Sequence, residues 1–254
     1  MYDVSILLPG IRKNNWITLY NSINLSEYSF ELILVGPYDP PDELLEKDNF
    51  KFIKDFGAPV RATQIAFVHS NGKYVTAIPD DGLYIEGVLE KDIDYLENKQ
   101  DGSVNDMVIN KYYELGNLLP DKILFLNNAY PRSSYIPDNW YIFNLVVMYS
   151  EFFRKVGGYD CEYETTALAH ADLAARSQCG GAKVFLIEKP MVTCTHMPGT
   201  AGDHAPVHYG HLEHDEGLYM KKYCFNDRFK DNLILDVDNW KNSPSIWRRR
   251  FPES

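Results

Sequence analysis

The chain has 254 residues, of which 45% are hydrophobic and 14% aromatic, and it carries a formal net charge of −11 at pH 7. A chain of this length forms one large domain, or one domain with a substantial tail, and can bury a sizeable core. The excess of carboxylates disfavours a general nucleic-acid binder, which needs clustered lysine and arginine. It does not disfavour a nucleotide site, because a metal ion can carry a diphosphate.

The sequence contains no membrane or secretion signal. No apolar run approaches about 18 residues, so no transmembrane helix is predicted. A strand is expected within four residues of Met1, where a signal-peptide pattern is missing. The four cysteines show no Cys-x-x-Cys spacing and are interpreted as free thiols without a structural zinc: Cys161, Cys179, Cys194 and Cys224. We therefore expect a cytoplasmic protein.

Strands and helices alternate through the first 100 residues. β-branched and aliphatic runs predict strands at 3–8, 30–35, 49–54 and 74–78. Trp16, Leu19 and Ile23 recur at helical spacing after the first strand, and Pro59 suits the start of a later helix. This alternation is typical of an α/β protein with a parallel sheet covered on both faces, so residues 1–100 are predicted to be a Rossmann-like nucleotide-binding half. The chain lacks a Gly-x-Gly-x-x-Gly fingerprint, which disfavours a dinucleotide site.

The second half of the chain alternates less regularly. Helices are predicted at 83–98, 151–156, 165–179 and 212–223, and strands at 107–113, 141–148, 183–187 and 192–195. The stretch 120–137 is aromatic and irregular. Residues 224–254 are interpreted as a polar C-terminal extension.

A pair of acids follows the fourth predicted strand, in the turn Pro79-Asp80-Asp81-Gly82. Acids at the carboxyl end of a parallel strand lie where open α/β sheets bind ligands. Carboxylate oxygens suit Mg²⁺ or Mn²⁺, and these ions commonly bridge to phosphate. The alternative is a solvated turn without a ligand.

The order of these features resembles the family 2 glycosyltransferases of the GT-A fold over residues 3–223. Short motifs in the family's order carry the resemblance: Val4-Ser5-Ile6-Leu7-Leu8-Pro9, Glu31-Leu32-Ile33-Leu34-Val35, Gly72-Lys73-Tyr74-Val75 before Asp80-Asp81, Phe152-Phe153-Arg154-Lys155-Val156-Gly157-Gly158-Tyr159-Asp160, Asp172-Leu173 with Arg176, Thr195-His196, and Lys221-Lys222-Tyr223. It implies a GT-A domain at 1–223 with a mixed, mainly parallel sheet. Residues 1–100 would bind a nucleotide-diphosphate sugar, with a UDP-sugar as the default donor, and residues 101–223 a carbohydrate acceptor.

The resemblance also implies a metal site with Mn²⁺ or Mg²⁺ on the donor diphosphate. Asp81 is the carried-over metal ligand and Asp80 a ribose or supporting partner, while Pro79 replaces the family's first acid. His196 follows the last strand, where some members place a ligand histidine, and imidazole suits Mn²⁺ better than Mg²⁺.

Three further positions are assigned to the donor. Pro9 ends the first strand in the family's opening motif. The family usually ends its second strand with an aspartate that binds the nucleotide base, and Gly36 stands there. Tyr38 could stack on the base, and Asp39 could reach it if the loop folds back, but neither residue carries over by position. Gln64 is the second residue of the pair Thr63-Gln64, which stands where members of the family commonly have Arg-Asn.

The catalytic base, which takes the proton of the acceptor hydroxyl, departs from the family pattern. Inverting members of the family usually carry Glu-Asp-x-Asp-Leu, in which the first Asp is this base. This chain reads Ala169-His170-Ala171-Asp172-Leu173, so His170 occupies the base position and its ordinary pKa of about 6.5 suits the role. Asp172 is the alternative base, or pairs with Arg176 one turn on. The two residues lie about 200° apart on a helix, so both cannot face the donor.

Four histidines cluster in sequence after the last strand: His204, His208, His211 and His214. They predict either a mobile polar lid over the donor or a separate zinc or Mn²⁺ site.

Two functions from different classes follow from this sequence, with a nucleotidyltransferase as a third. The first is an inverting, metal-dependent glycosyltransferase, with His170 or Asp172 as the base. The second is a glycosyltransferase-like carbohydrate-binding or assembly module, favoured by the substituted positions Gly36, Pro79 and His170.

Overall fold

A computed structural model describes residues 1–99, 103–119, 141–195, 202–225 and 234–253. The strands within these ranges are β1 (Val4–Pro9), β2 (Phe30–Gly36), β3 (Phe50–Lys54), β4 (Tyr74–Ala77), β5 (Gly82–Tyr84), β6 (Met107–Glu114), β7 (Asn117–Leu119), β8 (Val146–Tyr149) and β9 (Val184–Cys194). The α-helices are α1 (Lys13–Ser22), α2 (Asp42–Leu45), α3 (Pro59–Val68), α4 (Val88–Asn98), α5 (Ser150–Lys155), α6 (Thr166–Cys179), α7 (Ala205–Gly210) and α8 (Glu216–Tyr219). Tighter or wider helical turns cover Gly202–His204, His211–Asp215, Met220–Phe225 and Asn239–Asn242.

These strands form one mixed sheet in the order β3-β2-β1-β4-β8-β6-β9-β5, with β7 paired to β6. The ladders that join β3, β2, β1 and β4 are all parallel, as is the long β6–β9 ladder, and they contain most of the paired residues. The α/β class and the mixed, mainly parallel sheet expected from the sequence are confirmed. Parallel pairing brings the carboxyl ends of β1 to β4 to one edge of the sheet.

Helices cover both faces of the sheet. Helices α3, α5 and α6 pack on one face around Phe67, Phe152 and Leu173, while α1 and α4 pack on the other around Trp16 and Ile93. Both clusters are buried, which explains the near-continuous apolar runs of the parallel strands. Among the described helices, none is long and apolar enough to cross a membrane.

Three local predictions differ from the structure. The predicted helix 83–98 is preceded by β5, because Gly82–Tyr84 pairs antiparallel with the end of β9. The two predicted strands at 183–187 and 192–195 are one strand, which continues past Pro190 through a register shift opposite Asn110 and Lys111. The predicted helix 212–223 belongs to a longer helical run over residues 202–225, so the described part of the His-rich segment is helical rather than a loop.

The described part of the C-terminal extension, residues 234–253, packs on the domain. Ile246 forms a parallel bridge with Phe56, and the Trp247 backbone N–H donates to the Phe56 carbonyl oxygen at 2.8 Å. The Arg61 guanidinium donates to the carbonyl oxygens of Trp240 and Ser243. This segment is therefore held against the loop that follows β3.

Candidate active site

A cavity of about 350 Å³ opens at the carboxyl ends of the parallel strands. This volume lies in the range of small-molecule sites. Its walls come from the ends of β1, β2 and β4, from the starts of α3 and α6, from the 202–225 helical run and from the C-terminal segment. The sequence-predicted residues that line it are Pro9, Asp80, Asp81 and His170. The predicted acid turn therefore lies in a cavity and not in open solvent.

Asp80 is used to hold the loop between β1 and α1. Its Oδ2 accepts hydrogen bonds from the backbone N–H groups of Ile11 and Arg12, both at 2.6 Å, and from the Trp16 indole at 3.4 Å. Its Oδ1 accepts from the Arg12 guanidinium. With 2% exposure and this many donors, Asp80 shapes the cavity more than it offers a free oxygen to a ligand.

Asp81 lies next to a histidine from the far end of the chain. Its Oδ2 is 3.5 Å from His204 Nε2 and 3.7 Å from the Arg12 guanidinium. Arg12 also pairs with Asp203 at 2.8 Å. Burial alone would lower the pKa of Arg12, but the carboxylates of Asp80, Asp81 and Asp203 outweigh it and raise that pKa. Arg12 is thus a permanent cation among three carboxylates.

The donors at Asp81 fit a divalent cation that completes its shell from a ligand. A carboxylate oxygen and an imidazole nitrogen 3.5 Å apart are suited to binding one Mn²⁺ together, and such ions commonly add phosphate oxygens and water. The described residues contain no group of three or more His, Cys, Asp or Glu placed to hold a metal by themselves. His196, the predicted histidine ligand, lies outside the described residues, and His204 is the histidine that the structure places beside Asp81.

His170 lines the cavity from the second turn of α6 and is 8% exposed. Its Nε2 lies 3.1 Å from the Tyr159 hydroxyl oxygen, and Phe143 is a ring neighbour. Burial lowers the pKa of His170 to about 4, so the ring is neutral at pH 7.

Asp172 does not reach the cavity, which corrects its assignment as an alternative base. Its side chain is completely buried, with Oδ2 accepting from Arg176 Nε at 2.7 Å and Oδ1 from the Tyr223 hydroxyl at 2.5 Å. Arg176 donates in addition to the carbonyl oxygens of Val156 and Gly158. The pairing of Asp172 with Arg176 predicted as the other possibility is observed.

Two of the residues assigned to the donor also lie elsewhere. Gln64 is buried and joins the Gly157 and Val237 carbonyl oxygens to the Tyr159 backbone N–H, because the phase of α3 turns Ala62 and Thr63 to the cavity instead. Tyr38 is 44% exposed and lies outside the cavity lining.

A close backbone contact requires glycine at position 36, where the resemblance led us to look for a base-binding aspartate. A Cβ at this position would lie 2.0 Å from the Gly10 carbonyl oxygen, so the loop after β1 packs directly on the end of β2. No side chain can occupy this point while that loop keeps its place.

Several cavity residues could not be expected from the sequence motifs. Glu114 lies on β6 beside Cys194, and Cys194 in turn pairs with Gly82 next to the acid turn. Burial first, then the charges of Asp81 and Glu114, raise the pKa of the Cys194 thiol to about 12, so this lining thiol stays protonated. Trp247, Arg250 and Phe251 come from the C-terminal segment, where the family pattern does not extend. Their only sequence signal is a short run of aromatic and basic residues.

Comparison with solved structures places the fold. The structure of S. aureus TarS, a glycosyltransferase, matches 77% of this chain with a TM-score of 0.56 and 13% identity, and this chain spans 37% of its length. S. aureus TarS 1–349 is matched over 99% of this chain and 72% of that fragment, with a TM-score of 0.59 and 13% identity. The same fragment in complex with UDP is matched over 91% of this chain and 69% of the fragment, at the same TM-score and identity. No protein-family model matches this chain, and no curated protein matches it by sequence. At this identity the likeness concerns the fold, and the chain has the GT-A-like glycosyltransferase fold that its motifs resemble.

Proposed function

We propose that this protein is a glycosyltransferase that uses a nucleoside-diphosphate sugar, with a UDP-sugar as the first candidate donor, and transfers the sugar to a hydroxyl of a carbohydrate acceptor. The observation that carries the proposal is the buried pair Asp80-Asp81 at the carboxyl end of β4, inside a cavity that also holds Arg12, His204 and His170. The UDP complex of TarS, which has the same fold, supports a nucleotide in this cavity.

The donor diphosphate is expected to lie over Asp81. We assign Asp81 and His204 as the ligands of a divalent cation, Mn²⁺ before Mg²⁺ because one donor is an imidazole nitrogen. Such a cation, when bound, neutralises negative charge that develops on a diphosphate leaving group. Asp80 acts through Arg12, whose position it fixes with its two oxygens, and keeps the loop after β1 in the shape that the diphosphate meets.

His170 is our candidate for the base that accepts the proton of the acceptor hydroxyl. If Nε2–H donates to the Tyr159 hydroxyl oxygen at 3.1 Å, that contact fixes the tautomer and leaves Nδ1 as the proton acceptor. A pKa of about 4 makes His170 a weak base in the free protein. An anionic diphosphate in the same cavity favours the imidazolium form and therefore raises this pKa towards the range useful for catalysis.

In this mechanism the acceptor hydroxyl attacks the anomeric carbon from the face opposite the diphosphate while His170 takes its proton. The bond between sugar and diphosphate breaks as the new one forms, so the anomeric configuration is inverted. Removing the base should lower turnover by about 10²–10⁴-fold.

The second candidate is a carbohydrate-binding module without transferase activity. Burial of His170 and its lowered pKa are the specific observations in its favour, because a base of this strength is less effective near neutral pH. Nucleotide binding alone does not separate the two candidates, whereas release of UDP from a UDP-sugar does.

Binding of UDP in the presence of Mn²⁺ is the first experiment. Calorimetry with the wild-type protein should show UDP binding that weakens at least about tenfold when the metal is chelated, and Asp81→Asn should show a comparable loss with metal present. Asp39→Asn is the matched control, since Asp39 is an exposed carboxylate that pairs with Lys54 outside the cavity. UDP affinity that is the same with and without Mn²⁺ would remove the metal from the proposal.

Turnover is then measured as UDP release from a panel of UDP-sugars. His170→Ala and wild type are compared at the same fractional occupancy of the site by the UDP-sugar. A loss of a hundredfold or more in His170→Ala with unchanged UDP affinity supports transfer. No release by the wild type with any sugar, although UDP binds, favours the binding module.

A further inference from the structure

Three consecutive arginines in the C-terminal segment have three different environments. Arg248 is exposed. Arg249 pairs with Glu164 and with Glu213. Arg250 lines the cavity, and its one side-chain hydrogen bond within the described residues goes to the carbonyl oxygen of Asp203. Arg248 thus lies at the surface, where it also donates to the Pro252 carbonyl oxygen at 3.5 Å, Arg249 is held by ion pairs, and Arg250 lines the cavity.

The segment that carries Arg250 is anchored on both sides of the cavity. Trp247 is 5% exposed and its backbone N–H is bonded to Phe56. The Phe251 ring packs edge-on against the Phe56 ring, with centroids 5.5 Å apart. The ion pairs of Arg249 fix the segment to the opposite wall. Arg250 is therefore placed by its neighbours and does not need its own ion pair to stay in position.

The position of Arg250 brings a second guanidinium to the cavity that already holds Arg12. The two are linked through one residue, because Arg12 bonds the Asp203 carboxylate while Arg250 bonds its backbone carbonyl. Burial, and then the charge of Arg12, lower the pKa of Arg250, whereas Asp203 and Asp80 act in the other direction. The charge of Arg12 is already balanced by the carboxylates of Asp80, Asp81 and Asp203. Arg250 donates to a neutral carbonyl oxygen within the described residues, so most of the N–H groups of its guanidinium are available to an anion in the cavity.

We propose that Arg250 is a ligand of the donor diphosphate, so that residues 246–251 complete the donor site that the first 81 residues begin. This inference rests on the proposed function. A guanidinium binds phosphate oxygens in a fixed, forked geometry, which suits a diphosphate better than a sugar or a base. Arg250 would then share the charge of the leaving group with the cation at Asp81, in the cavity that both residues line.

The test uses inorganic pyrophosphate, UMP and UDP as probes, each titrated with Mn²⁺ present into the full chain. Arg250→Gln should weaken pyrophosphate and UDP by about tenfold to a hundredfold, the size expected for one lost hydrogen bond to a charged group. UMP should lose less, because it lacks the second phosphate. Arg248→Gln, which removes an exposed charge from the same run, should change none of the three by more than about twofold.

Arg250→Lys separates a phosphate ligand from a structural tether. Lysine keeps the charge but not the fork, so it should restore part of the pyrophosphate affinity with wild-type thermal stability. Equal pyrophosphate and UDP affinities in wild type and Arg250→Gln would overturn the inference and leave the proposed function standing. An equal loss for UMP and UDP in both Arg250 variants would also overturn it, because it would indicate a collapsed cavity wall. Wild-type protein that binds neither pyrophosphate nor UDP would instead refute the proposed function.

Discussion

Replacing Asp172 by asparagine tests whether this residue is structural or catalytic. The side chains of Asp172 and Arg176 are both completely buried, and their ion pair is 2.7 Å long. Asp172→Asn keeps the shape and removes the charge, so the Arg176 guanidinium keeps its hydrogen bonds to the carbonyl oxygens of Val156 and Gly158 but loses its carboxylate partner. We expect folding to suffer and the cavity chemistry to remain.

The size of the effect follows from the burial. Breaking a buried pair by removing one partner costs about 3–5 kcal/mol, because an uncompensated charge stays in the interior. The total stability of a domain is only about 5–15 kcal/mol, so the variant should be marginal. For a chain of this size the loss corresponds to a melting temperature lower by about 6–10 °C.

Urea denaturation followed by circular dichroism measures the loss, and UDP binding at low temperature measures what remains of the site. Asp238→Asn is the matched control, because Asp238 forms an exposed ion pair with Lys241 and should give no measurable change. A wild-type urea midpoint for Asp172→Asn would refute the reasoning. A wild-type midpoint together with lost turnover would restore Asp172 as the candidate base.

Three further predictions concern pH and packing. Asp92 is fully buried, and burial raises its pKa well above the usual value. Its contribution to stability is therefore full below about pH 3.9 and is lost as the pH rises through the folded pKa. Asp92→Asn should raise the melting temperature at pH 8 and leave it unchanged at pH 3.5. The pH dependence of stability has the opposite sign for His170, because its folded pKa of about 4 lies below its unfolded value of about 6.5. The native state should lose about 3 kcal/mol of stability as the pH falls from 6.5 to 4. His170→Gln should flatten this dependence, as measured by urea titrations at the two pH values. Gly36→Ala introduces a methyl group 2.0 Å from the Gly10 carbonyl oxygen and should destabilise by about 1–3 kcal/mol with weaker UDP binding, whereas Gly217→Ala, in helix α8 with open space around its Cβ position, should be neutral or stabilising.

The central sheet could be predicted because local signals and tertiary structure agree there. Each of β1 to β4 is a short apolar run ended by a turn or by polar residues, and parallel pairing follows from their alternation with helices. The acid turn follows from the same logic, since the end of a parallel strand is a fixed place in such folds. The predicted incompatibility of His170 and Asp172 is also observed, because helical geometry alone separates them.

The site predictions that failed, and the cavity residues that were missed, depended on the phase of a helix or on contacts between distant parts of the chain. One step along α3 rotates a side chain by about 100°, which is enough to bury Gln64 while Thr63 lines the cavity. No local pattern indicates that His204 approaches Asp81, or that Arg250 of the C-terminal segment lines the same cavity. Such contacts depend on how the chain returns to the sheet edge, which the residues between them determine collectively.

During synthesis, the loop after β3 leaves the ribosome long before the C-terminal segment that packs on this loop. Phe56 and Trp247 are joined through their backbones although roughly 190 residues separate them, an interval of about 10–40 s at ordinary rates of synthesis. Strands β1 to β4 can pair during that time, but the cavity at their ends has no outer wall. The nascent chain therefore exposes the incomplete, apolar cavity to chaperones and proteases until the C-terminal segment packs against Phe56.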